Sequence, residues 1–190
     1  MFLVGCGAGL TIPFLNLYFR DRFDLEAGSI GTIFSAAQAI TAVGFAVGPA
    51  MARRLGMVRA VATTELLSIP FFLTLAFSHH LGLAVVAFWA RGALMNMNQP
   101  ISRNFAMEAV DEDQQPVTNS VIELSWSLAW MICTQVGGWL IDHHGFVPPM
   151  LVTVTLYFSA SVLYLFFFHD YERRVLRLKP AAAPDPPGEP

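Results

Sequence analysis

Residues 81–105 read LGLAVVAFWARGALMNMNQPISRNF, an apolar run into which Arg91, Asn96, Asn98, Gln99 and Pro100 are set. Whether this is a lipid-soluble helix with a charge built into it decides the fold. Across the chain 55% of residues are hydrophobic and 13% are charged, where an ordinary soluble domain carries roughly 25% charged residues. That deficit indicates a membrane protein. Working outward from the stretch, apolar segments bounded by charges fall at 1–19, 28–51, 57–78, 81–101, 116–141 and 147–168. Each is about 19 to 26 residues long, and about 20 residues cross a hydrocarbon core of roughly 30 Å as a helix.

None of these segments alternates polar and apolar residues as a barrel strand does, and only helices or closed barrels satisfy the backbone in lipid. The expected fold is therefore all-α and integral to the membrane, with six transmembrane helices over residues 1–168. The first segment lacks a basic leading region, holds Pro13 and Asn16 and runs into a charged loop, so it reads as a span rather than a signal peptide. Cys6 and Cys133 lie inside apolar segments without a pairing pattern or metal-ligand spacing, and read as packing residues.

If the helices alternate in direction, one side receives Arg53, Arg54, Arg59, Arg103, Arg173, Arg174, Arg177 and Lys179, and the other only Arg20 and Arg22. By the positive-inside rule, both termini and the loops after the second and fourth spans are expected in the cytoplasm. Tyr18, Trp139 and Tyr171 fall where interfacial aromatic belts lie. Residues 180–190 read PAAAPDPPGEP, so 169–190 is expected to be a cytoplasmic, proline-rich disordered tail.

An internal repeat is visible. VGPAMARRLGMV from Val47 and VGGWLIDHHGFV from Val136 share Val, Gly, Gly and Val at an offset of 89 residues. Three spans separate the copies, so they face opposite sides, as expected of two inverted three-helix repeats. GAGLTIPFLNLYF at the start resembles the seventh helix of a bacterial major facilitator superfamily transporter. GPAMARRLGMVR resembles that family's second cytoplasmic loop motif, represented by Gly48, Arg53, Arg54, Gly56 and Arg59. RGALMNMNQP with FAMEAV resembles its tenth helix and the following loop, and GGWLID adds to the match. The likeness is to the C-terminal half of a multidrug-efflux-like member. It departs at Arg53, where the stronger copy of the motif has an aspartate, so the loop's charge relay is in doubt.

The resemblance implies alternating access around a midplane site between two six-helix halves. This chain supplies six helices, so its expected partners are a missing N-terminal half or a second copy, the lipid bilayer and a small-molecule substrate, with no nucleic acid. A fragment beginning at the seventh helix is the favoured reading. The resemblance also implies that the first two helices of each unit line the cavity while the third is peripheral. A bacterial inner membrane is the expected location.

Charges inside a span are costly and usually turn inward. At about 100° per residue, Arg91, Met95, Asn98 and Ser102 lie within about 40° of one direction, with Gln99 beside them. On the fifth span Asn119, Glu123, Trp126, Trp130 and Gly137 gather similarly, with Thr134 at the edge. The sixth has no charge or amide over 147–168 and is expected to face lipid all round. Asn16, Gln38, Arg91, Asn98, Glu123, Trp126 and Trp130 are the pathway candidates, and Glu123 the proton-coupling candidate. Trp126 is the expected stacking partner of Arg91, with Glu123 a more distant pairing. Glu65 is expected to pair with a loop arginine or to snorkel to the inner surface.

Gly5 with Gly9, and Gly44 with Gly48, have the small-xxx-small spacing of close helix packing. His79, His80, His143 and His144 lack a third ligand type at zinc spacing, so no metal and no cofactor is expected. The functional expectation is secondary active, proton-coupled transport of a small solute. Efflux of amphipathic compounds is favoured because two tryptophans and few hydrogen-bonding groups line the face. The alternative is a six-helix scaffold or enzyme subunit, against which stands the absence of a catalytic cluster within the spans.

Overall fold

The computed structural model describes residues 1–178, with side chains described through residue 168. The described residues form helices and turns without strands. α1 (Phe2–Thr11) and α2 (Leu15–Phe23) are joined by the 3-10 turn Ile12–Phe14, where Pro13 removes an N–H and disfavours a continuous α-helix. Together they make one rod of 22 residues, Phe2–Phe23. α3 (Ala27–Leu55), α4 (Met57–Phe77), α5 (Leu81–Glu108), α6 (Gln115–His144) and α7 (Val147–Leu178) complete six rods.

Four stretches are long and apolar enough to cross a membrane: Phe2–Phe23, Ala27–Leu55, Met57–Phe77 and Val147–Phe168. α5 and α6 are as long, at 28 and 30 residues, but carry the polar residues that lower their hydropathy. α5 continues through Pro100 to Glu108, well past residue 101. α7 remains helical to Leu178, beyond the expected boundary at 168. The rest of the expected tail, 179–190, lies outside the described residues.

The α1–α2 rod packs on α6 and α7, α5 packs on α3 and α4, and α4 packs on α7. Glycines set the first of these spacings. A Cβ at Gly5 would meet Ala129 Cβ at 3.1 Å, and one at Gly9 would meet the Trp130 carbonyl oxygen at 2.8 Å. A Cβ at Gly48 would meet the Met97 carbonyl oxygen of α5 at 3.2 Å, while one at Gly137 would meet Leu10 Cα of α1 at 2.8 Å. The two glycines aligned by the repeat thus do the same work on different partners. The second aligned pair behaves alike. Gly56 ends α3 at φ 86° and Gly145 ends α6 at φ 76°, conformations open almost only to glycine.

At the end of the bundle near Arg22, Tyr18, Phe19, Phe23, Phe34, Phe88 and Phe146 form edge-on and tilted ring contacts. Tyr18 is 0% exposed and donates to the Leu75 carbonyl at 2.6 Å. It is a core residue that locks α2 to α4, which corrects its assignment to an interfacial belt. Trp139 is exposed and stacks on His143. The Tyr171 side chain lies outside the described residues.

Candidate functional site

The polar face of α5 turns inward. Arg91, Asn98 and Ser102 are all buried, and with Met95 and Gln99 they line a cleft of about 230 Å³ whose other walls include Trp126 and Trp130 of α6 and Tyr157 of α7. The residues that the helical count places on one face of α5 thus share one cleft. Their partners, however, differ from those expected. The Arg91 guanidinium lies over the Phe72 ring, 4.8 Å from its centroid, and its Nη2 donates to Tyr157 Oη at 3.0 Å. Trp126 instead forms a tilted pair with Trp130, centroids 6.0 Å apart. The stack expected between Arg91 and Trp126 is replaced because α4 brings a phenylalanine closer to the guanidinium.

Glu65 is the larger correction. It neither snorkels nor pairs with a loop arginine, being 4% exposed and lining the same cleft. Asn98 Nδ2 donates to its Oε1 at 2.8 Å, and Ser161 Oγ donates to its Oε2 at 2.7 Å. Ser102 Oγ in turn donates to Asn98 Oδ1 at 2.6 Å. The result is a relay across α4, α5 and α7 that satisfies both carboxylate oxygens. A buried carboxylate without such donors would be strongly disfavoured.

α7 does not face lipid all round. Thr153, Tyr157 and Ser161 are buried, and Thr153 Oγ1 donates to the Gly7 carbonyl at 2.9 Å. Hydroxyls carry neither charge nor amide, so these residues do not stand out in an apolar run as Arg91 and Asn98 do. Their spacing of four residues puts them on one helix face, and that stripe was the available signal. α4 and α7, expected to be peripheral, therefore contribute Glu65 and Tyr157 to the cleft lining.

Glu123 lies apart from Arg91 and forms an ion pair with Arg103. Both are partly exposed, with side chains 43% and 52% accessible. The pair borders a hollow of about 100 Å³ that shares Gln99 and Trp126 with the cleft. Asn16 and Gln38 are exposed on the bundle surface, and the Asn16 side chain accepts from the Leu17 N–H at 2.8 Å. Asn96 also borders the cleft, and its side chain donates to the Gly92 carbonyl at 2.8 Å and to Thr41 Oγ1 on α3 at 3.4 Å. Of the loop motif, Gly48 is buried, Gly56 forms the turn, and Arg53, Arg54 and Arg59 are exposed.

The arrangement combines a buried cation, a hydrogen-bonded carboxylate and an aromatic wall around a small hollow. Polar and apolar groups thus face one another across the hollow. Compared with known families, residues 1–189 match the family model described as Major Facilitator Superfamily. No curated protein matches the chain.

Proposed function

The chain belongs to the major facilitator superfamily, a family of membrane transporters, and from that premise we propose that it moves a small amphipathic solute by alternating access through the Arg91 cleft. The carrying observation is the cleft itself: a membrane helix bundle that encloses Arg91, Asn98, Glu65, Trp126 and Trp130 around open space. Charge at that depth is costly and marks solute or ion paths.

The bundle acts as the C-terminal half of a transporter, built as two inverted three-helix repeats, with a second six-helix bundle completing the cleft. Support for the repeats comes from packing: exchanging the α1–α2 rod, α3 and α4 for α5, α6 and α7 reproduces the same neighbour pairs. The matched roles of Gly48 with Gly137, and of Gly56 with Gly145, point the same way. The arginines at 53, 54, 59 and 103 favour placing that end, with both termini, in the cytoplasm of a bacterial cell. Residues 53–59 then act as an inner latch.

The Arg103–Glu123 pair bridges α5 and α6 beside the cleft, and serves as an inner gate. A proton taken up by Glu123 removes the negative charge that holds Arg103, so gate opening is linked to proton movement. The direction favoured by the aromatic wall is efflux, in a secondary active cycle.

Flux of a panel of small amphipathic solutes into proteoliposomes, under an imposed pH gradient, tests the reading. At least one solute is expected to move with the gradient, and E123Q is expected to flatten the pH dependence of that flux. Flux that keeps its pH dependence in E123Q removes Glu123 from coupling; no gradient-driven flux of any solute contradicts transport by this chain with a second copy as the completing bundle.

A further inference from the structure

Of the two charged side chains lining the cleft, Glu65 has both oxygens occupied and Arg91 has donors to spare. Each Glu65 oxygen accepts a hydrogen bond, from Asn98 and from Ser161. Arg91 is 5% exposed and carries five N–H donors. One bonds Tyr157 Oη, and among the described residues its buried Nε has no partner. The ion pairs formed by the described residues join Arg20 to Asp21, Arg103 to Glu123 and Asp142 to His143; none includes Arg91. A buried donor left unmade costs about 1–3 kcal/mol, and more when it is charged. Such a group persists where something outside the chain completes it.

We propose that the Nε edge of Arg91 holds the carboxylate of a small organic anion whose aromatic or apolar body lies against Trp126 and Trp130. A guanidinium edge presents two parallel N–H donors that match a carboxylate bidentately. Phe72 covers one face of the guanidinium and Tyr157 takes one Nη2 hydrogen, which leaves the Nε hydrogen unused among the described residues. The two tryptophans line the same cleft and offer flat apolar area to a ring. The hollow beside Arg91 is about 230 Å³, room for a single-ring acid. A cation fits poorly, because Arg91 repels it and both Glu65 oxygens are already engaged. The inference rests on the cleft being the solute path.

The test measures binding by the full chain in phosphatidylcholine nanodiscs, followed by thermal unfolding with sodium benzoate, benzamide or benzylamine at equal concentration. Benzoate at about ten times its Kd is expected to raise Tm by about 3 °C or more, through mass action on the folded state, and the neutral and cationic probes to leave it unchanged. R91Q should abolish the shift, and R91K should keep part of it, since the charge remains while the fork is lost. W126A, at a half-buried wall position, should raise the benzoate concentration that gives an equal shift by about tenfold. Benzylamine stabilising as well as benzoate overturns the proposal. So does an unchanged benzoate concentration dependence in both R91K and W126A, which decides the matter even where R91Q does not fold. Loss of the shift in phosphatidylglycerol nanodiscs overturns the solute in favour of a lipid phosphate on the same edge. Because the readout is binding, a benzoate shift without any solute flux supports the anion site and counts against the transport reading alone.

Discussion

Ser161 and Glu65 show how much of this site depends on groups that carry no charge. The serine donates to Glu65 Oε2 at 2.7 Å, and both residues are buried. Removing the hydroxyl strands a carboxylate oxygen, so S161A should lower stability by about 1–3 kcal/mol. Thermal unfolding in detergent measures this, with T155A, exposed on another face of α7, as a control expected to change stability by less than about 0.5 kcal/mol. Equal effects from both would remove the relay from the account. The α5 half of the site was legible in advance because Arg91, Asn98 and Ser102 recur at helical spacing in an apolar run. Tyr157 and Ser161 were not, since hydroxyls are common in membrane helices and their direction depends on which neighbour α7 meets. Glu65 was misplaced for a related reason. Its distance along the chain from Arg59 suggested a loop partner, and only the packing of α4 between α5 and α7 reveals the donors.

For whole helices, the chain advertises where they stop more clearly than what they touch. Gly56 and Gly145 end α3 and α6 with φ of 86° and 76°. G56A and G145A should each cost about 1–3 kcal/mol, the usual strain of a side chain in that region. The two losses should be similar if the turns are equivalent; thermal unfolding of the two variants checks this, and a large loss in one with none in the other contradicts equivalence. The glycine spacing on α1 and α3 foretold close packing but not its partners. α1 meets α6 at Gly5 and Gly9, and α3 meets α5 at Gly44 and Gly48, choices set by how all six rods fit. The helix ends at Leu55, Phe77 and His144 lie within a few residues of those read from the sequence. α5 and α7 run on because charge near a helix end marks the edge of lipid, and need not mark the end of the helix.

Across the whole molecule, the Arg91 cleft is expected to open alternately to the two sides of the membrane. The proposed alternation of the six rods would send the α3–α4 turn and the α6–α7 turn to opposite sides. A cysteine at Arg54 should therefore react with an impermeant maleimide in inside-out vesicles, and one at His144 in right-side-out vesicles, both in a background lacking Cys6 and Cys133. Reaction of both from the same side contradicts the topology. The decisive measurement uses the same background with a cysteine at Gln99, which is exposed at the cleft. Labelled with an impermeant thiosulfonate in vesicles of each orientation, it should react from both sides, as a site open to each in turn must. Reaction from one side only, or from neither, would contradict alternating access through this cleft.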